Sequence, residues 1–149
     1  MESSIKSIIT VETEINAPVE VVWKFWTTPD DIIQWNNASV DWCTTRAANE
    51  LKTGGKFSYR MEAKDGSFGF DFEGTYTKII LNHLISYILG DERNVNLIFS
   101  ANQGNTRIVE EFEAENTNPV DLQKHGWQSI LNNFKSYVET SLKSEKQNK

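Results

Sequence analysis

The sequence is short of the residues on which reactive, stapled or metal-bound proteins depend. Cys43 is alone among 149 residues, so no internal disulfide can form. Outside any motif, a solitary cysteine reads more readily as a small core residue than as a nucleophile. The two histidines, His83 and His125, lie far apart, and with one cysteine they cannot build an all-nitrogen-and-sulfur metal site. Nothing in the chain therefore calls for a metal or another cofactor. No glycine-rich phosphate cradle is present: Gly54-Gly55 lacks the flanking glycine and lysine spacing and reads as a hairpin turn. No strained nucleophile motif appears either. Apolar runs fall short of a membrane span, and Met1 to Ser7 is polar without a secretory signal, so a cytoplasmic protein with no membrane insertion is expected. Positive charge is in deficit, 15 Lys and Arg against 21 Asp and Glu, net −6. That balance argues against nucleic acid or an anionic membrane surface as main partner and mostly serves solubility. With no internal repeat, low-complexity tract or linker, one domain is expected over residues 1–149, its core spanning about 8–142. The stretch from Lys143 to Lys149 (KSEKQNK) reads as a polar, fraying tail.

Proline is scarce as well, but its three occurrences are placed to open helices. Asn118-Pro119 precedes a long helix through GWQSILNNFKSYVE, with Asn118 as N-cap, Pro119 at the first position and Asp121 near the positive helix start. Trp127, Ile130, Leu131, Phe134, Tyr137, Val138 and Leu142 recur at spacings of three and four and form one wide apolar stripe. Pro18 opens a short helix with Val19, Val22, Trp23 and Trp26 on its apolar side. Thr28-Pro29-Asp30-Asp31 signals a second one ending near Trp35, with Thr28 as cap. Before them, Ile5 to Ile15 alternates as a half-buried strand, Ile9, Val11, Thr13 and Ile15 on one side. Residues Asn36 to Asn49 lack a clear period and are expected to form a loop running into a short strand.

Turns at Gly54-Gly55, Asp65-Gly66, Gly90-Asp91 and Gly104-Asn105 divide the middle of the chain into a meander of about five or six strands. A tight turn at Asp65-Gly66 sets Met61 opposite Phe70 and Tyr59 opposite Phe72, with Phe57 and Gly74 continuing the same face. If Ala101 faces Thr106, then Phe99 meets Ile108, Leu97 meets Glu110 and Val95 meets Phe112. Two hairpins thus independently place their aromatics on one face. The face of Leu84 to Leu89, and so of Tyr87, depends on the loop length at Gly90 and stays open. Asp71 and Glu73 fall on the solvated face. Gly74 permits close approach of a ring or the long helix, and Gly126 offers the same on the helix side.

Five Trp and eight Phe are many rings for this length. They fill cores, and stiff rings also line pockets. The sum is an α+β fold, a curved antiparallel sheet with one long C-terminal helix across its apolar face and room between them for a ligand. Glu110 is the chemical exception. Parity sends its carboxylate to the apolar side, where it must be paired, hydrogen-bonded, water-linked or protonated. A bulge turning it outward, or a structural hydrogen bond, would make it ordinary; otherwise it is a polar anchor with a pKa raised above the usual value, and no Lys or Arg is expected on that face. His83 reads as a turn residue and His125 as a surface residue near the cavity mouth.

The stretches NAPVEVVWKFWTTPDDIIQWN, the pair Asp41-Trp42, GGKFSYRMEAKDG, FEGTY and the closing GWQSILNNFKSYVE resemble the homologues of the activator of the heat-shock protein 90 ATPase. That family belongs to the START/Bet v 1-like (SRPBCC) superfamily, and the resemblance runs from about Ile8 to Leu142. It implies a helix-grip fold with a deep hydrophobic cavity, and an acidic residue at the position of Glu110. Relatives of this kind include lipid carriers, plant ligand binders, polyketide cyclases and a co-chaperone, and fold analogy does not choose among them. The first expectation is a non-enzymatic binder of a small apolar or aromatic molecule. Its lining would be Trp23, Tyr59, Met61, Phe70, Phe72, Leu97, Phe99, Phe112, Trp127, Ile130 and Phe134, with Glu110 as polar handle. The second is a partner of heat-shock protein 90, which calls for an exposed acidic or apolar patch. The third, a cyclase or hydrolase on a hydrophobic substrate, requires a second polar group facing Glu110, for which Tyr59, Tyr76 and His125 are the choices.

Overall fold

The computed structural model describes the backbone of residues 7–147 and the side chains of residues 7–143. The elements in chain order are β1 (Ile8–Ile15), α1 (Val19–Thr27), α2 (Pro29–Trp35), β2 (Trp42–Asn49), β3 (Lys56–Ala63), β4 (Gly69–Ile80), β5 (Leu84–Leu89), β6 (Asn94–Asn102), β7 (Asn105–Glu113) and α3 (Val120–Gln147). The strands form one antiparallel seven-stranded sheet in the order β1-β7-β6-β5-β4-β3-β2. This is the expected helix-grip arrangement, a curled sheet with a long C-terminal helix and two short helices after the first strand. The part of the first strand read at Ile5 and Lys6 lies outside the described residues, as does most of the polar start read as carrying no leader. No described helix is long and apolar enough to cross a membrane.

Hairpin parity holds residue by residue. Met61 pairs with Phe70, Tyr59 with Phe72 and Phe57 with Gly74; Phe99 pairs with Ile108, Leu97 with Glu110 and Val95 with Phe112. The β6–β7 connection is a two-residue turn in which Gln103 and Gly104 both have positive φ, 54° and 87°. That conformation matches the right-handed twist of the flanking strands. The open face of β5 resolves through its loop. The Leu89 amide donates to the Arg93 carbonyl, and Glu92 takes the left-handed conformation at φ 71°, closing a three-residue turn. Tyr87 then pairs with Val95 and, on the other side, with Tyr76. Both tyrosines face inward. A bulge between Tyr76 and Lys78 lets β4 bend without losing this pairing.

The helix starts differ slightly from the sequence reading. Pro119 rather than Asn118 holds the cap position of α3, its carbonyl accepting from the amides of Leu122 and Gln123. Pro18 does the same for α1, accepting from Val21 and Val22. Proline suits this place because its carbonyl is free to accept while its missing N–H is not needed. The Thr28 hydroxyl does not cap α2; it donates to the Lys24 carbonyl at 2.7 Å and finishes α1 instead. Helix α3 continues past Lys143, where the polar tail begins, to Gln147. The segment after Asn36 straightens at Trp42, so β2 is a full strand with a bulge between Thr44 and Arg46.

Helix α3 is tied along β1 by polar side chains as well as by its stripe. Gln128 donates to the Glu12 carbonyl at 3.0 Å and Lys135 to the Glu14 carbonyl at 2.7 Å. Asn133 donates to the Trp35 carbonyl at 2.8 Å, joining α3 to the end of α2. Leu131, Phe134 and Val138 are fully buried. Beneath α1 and α2 the packing is aromatic: Trp23 lies 5.1 Å from Phe99, and Phe134 sits edge-on to both Trp26 and Trp35. Gly74 is required by close approach, because a Cβ there would meet the Phe57 ring at 2.7 Å and the Ile88 carbonyl at 2.8 Å. Gly126 is not: a Cβ there would meet open space, so its expected packing role is absent.

Candidate functional site

Between the sheet and the first half of α3 lies a cavity of about 290 Å³. The size falls at the lower end for small-molecule sites, large enough for a compact ring system. Strand β3 supplies Phe57, Tyr59 and Met61; β4 supplies Phe70, Phe72 and Tyr76; β5 supplies Ile85 and Tyr87. The period of two in each strand turns these side chains to one face. Helix α3 closes the other side with Trp127 and Ile130, one turn apart, and Trp26, Trp35 and Asn36 form the floor. Phe70, 38% exposed, stands at the rim. Trp127 is held by stacking on Phe112, centroids 3.8 Å apart and planes within 11°, and meets Phe72 edge-on.

Of the residues read as lining from the sequence, Tyr59, Met61, Phe70, Phe72, Glu110, Trp127 and Ile130 surround this space. Trp23, Leu97, Phe99, Phe112 and Phe134 do not; they are buried in solid packing around it. The reason is depth. Leu97, Phe99 and Phe112 share the inward face of the sheet, but Trp23 of α1 covers Phe99 and Trp127 stacks on Phe112, while Phe134 of α3 packs edge-on against Trp26 and Trp35. The cavity adds Arg93, which corrects the expectation of no cation on this face. Arg93 lies two residues before Val95 and opposite Leu89, so inward parity applies to it as well, and only its charge argues otherwise. Its guanidinium is already engaged, Nε with Asp91 at 2.8 Å and Nη1 with the Glu113 carbonyl at 3.3 Å. Glu115, beyond the end of β7, completes the lining, its carboxylate accepting from the Asn118 amide at 2.7 Å.

Glu110 is the centre of the site. Paired with Val11 on one side and Leu97 on the other, it is only 5% exposed and no bulge turns it away. Among the described residues nothing hydrogen-bonds to its carboxylate, which opens on the cavity. Loss of water raises its pKa from 4.5 to about 8, so near neutral pH it is mostly a neutral acid. Tyr59 and Tyr87 are held well above the ordinary tyrosine value, first by burial and further by the nearby Glu110 charge. Tyr76 is raised by burial, and Asn49 donates to its hydroxyl at 3.4 Å. No direct hydrogen bond joins Glu110 to Tyr59, Tyr76 or His125, and His125 is exposed on α3. His83 is exposed at its turn, as expected. Among the described residues no three His, Cys, Asp or Glu side chains are grouped to hold a metal ion.

The chain matches the family model described as Activator of Hsp90 ATPase homolog 1-like protein over residues 16–139. It is similar to the solution structure of an AHSA1-like protein from Aeromonas hydrophila, with 43% identity, 91% of this chain and 94% of that one covered, and a TM-score of 0.86. A protein from Cytophaga hutchinsonii is 49% identical over the same shares of the two chains, with a TM-score of 0.78. A crystal structure from Nitrosomonas europaea shares the fold at 15% identity and a TM-score of 0.77, covering 90% of this chain and 95% of that one. No curated protein matches the chain. By sequence over most of its length and by fold, the chain belongs to the activator of Hsp90 ATPase homolog 1-like family.

Proposed function

We propose that the protein binds a small hydrophobic or aromatic molecule in the cavity between the sheet and α3. The observation that carries this reading is a ring-lined space holding one carboxylate without an internal partner. Burial of an unsatisfied polar group is costly. A protein that only needed a core would fill such a space with aliphatic side chains and place no carboxylate there. The rings supply apolar and quadrupolar contact, and Glu110 supplies orientation by a single hydrogen bond. Thermal-shift screening of apolar and aromatic compounds tests the reading. A compound at a hundred times its dissociation constant should add about 2.7 kcal/mol of stability, a shift of several degrees for a chain of this size. Flat responses across fatty acids, sterols and flavonoid-like compounds would sink it.

An exposed aromatic cluster supports a second reading, a partner of heat-shock protein 90. Trp42, Phe68 and Phe70 lie about 6 Å from one another at the β3–β4 turn, with Phe68 61% and the neighbouring Val40 80% exposed. Exposed apolar groups gathered in this way mark interaction surfaces. An ATPase assay of the chaperone with excess protein, wild type and Phe68→Ser, decides it; an unchanged rate counts against it.

A further inference from the structure

We infer that the ligand of this cavity is a cationic amine, an ammonium group on an apolar or aromatic body, with the ammonium seated against Glu110. This rests on the cavity being the ligand site and goes further in naming the charge of what enters. The groups around Glu110 decide it. From β3, β4 and β5 it is faced by Tyr59, Tyr76 and Tyr87, which are uncharged. From α3 come Trp127 and Ile130, which carry no charge either. The one cation of the lining, Arg93, is spoken for by Asp91 and the Glu113 carbonyl, and Glu115 adds a second carboxylate at the edge. The space is thus acidic, with no free base of its own.

Three kinds of ligand are then distinguished by charge. An acid gains no counter-charge, because Arg93 is already paired, and it is repelled by Glu110 wherever Glu110 is ionised. A neutral molecule leaves Glu110 protonated and gains one ordinary hydrogen bond. An ammonium supplies the missing counter-charge, so Glu110 gives up its proton to solvent and a charge-assisted hydrogen bond forms. The phenol and indole faces of Tyr59, Tyr87 and Trp127 add cation–π attraction, which strengthens when the cation is desolvated.

Naphthylethylamine, naphthylethanol and naphthylpropionic acid share one apolar body and differ in the head group, and titration calorimetry of each with the intact protein tests the inference. The amine should bind at least tenfold tighter than the alcohol at pH 8. Its affinity should rise about tenfold between pH 6 and pH 7 and level off above pH 8. In two buffers of different ionisation enthalpy at pH 7, its binding should release roughly 0.9 proton, as a mostly protonated Glu110 ionises, and the alcohol's should release none. Glu110→Gln should abolish the amine's advantage over the alcohol and its proton release. Proton release by the wild type reads the same contact without any substitution. Equal binding of amine and alcohol without proton release, or tightest binding of the acid, overturns the amine while leaving the cavity as a ligand site. If none of the three binds at any pH, the amine is overturned, and the cavity reading falls with it only if the thermal-shift screen is flat as well.

Discussion

Replacing Glu110 by Gln should make the protein more stable, and the gain should depend on pH in a way that identifies its cause. Burial raises the folded pKa of Glu110 from 4.5 to about 8. A folded pKa above the unfolded one means the native state binds the proton more tightly. The native state is therefore favoured fully below about pH 4.5 and loses ground as pH rises, by about 1.4 kcal/mol per pH unit. The loss levels off above about pH 8. Integrated to pH 7, the penalty is about 3 kcal/mol, and at saturation about 5 kcal/mol. Glutamine keeps the shape and never ionises, so it escapes this penalty, though its amide still opens on a cavity and some gain is lost to incomplete hydrogen bonding. A stabilisation of about 2–3 kcal/mol at pH 7 is expected, or roughly 5–10 °C in melting temperature. Below pH 4 the two proteins should coincide. Urea denaturation of both from pH 4 to pH 9 gives the full curve. Parallel stability profiles, or a variant weaker than wild type at pH 8, would refute the desolvated carboxylate.

Other positions give independent checks. Gly74→Ala forces a Cβ into the Phe57 ring and the Ile88 carbonyl, and should cost about 1–3 kcal/mol in chemical denaturation. Thr106→Val removes a fully buried hydroxyl that donates to the Ala17 carbonyl at 2.8 Å; leaving that carbonyl unpaired should cost about 1–3 kcal/mol despite the matched shape. Tyr137→Phe removes the 2.7 Å bond to Asp31 and should cost about 1 kcal/mol in urea denaturation. Trp127→Ala opens the lid and unstacks Phe112; a loss of about 3 kcal/mol is expected in denaturation.

The strand faces were legible because a hairpin turn propagates its register. Once Asp65-Gly66 and Gln103-Gly104 are placed, every residue of four strands is assigned to one face by counting in twos. Glu110 stood out for the same reason, as a charged residue in an apolar column, and the family resemblance pointed to the same position. Tyr87 could not be placed in that way. Its face turns on whether the connection after Leu89 holds two or three residues, and that was decided by Glu92 taking a left-handed backbone, a conformation the residue type does not announce. Arg93 was passed over for the opposite reason: its parity was available from Val95, but a cation on an inward face is improbable until Asp91 is seen beside it to share the charge.

Depth is what parity does not carry. Phe99 and Tyr59 both point inward, yet one is sealed under Trp23 and the other borders open space. The difference arises from the elements that cross the sheet. α1 covers the β6 end with Trp23 and Trp26 against Phe99 and α2 packs on β2, while the first turns of α3 reach β4 where Trp127 meets Phe72 edge-on. From α3 the lining receives the indole of Trp127 and the side chain of Ile130, while Gly126 leaves open space beside the helix. A cavity therefore survives where the helix is sparsely decorated, and it survives around the one inward carboxylate of the sheet. Burying Glu110 beneath such a thin lid costs about 3 kcal/mol at neutral pH by the linkage given above. A single apolar substitution there would remove that cost; under the proposed function a ligand held against the carboxylate offsets it.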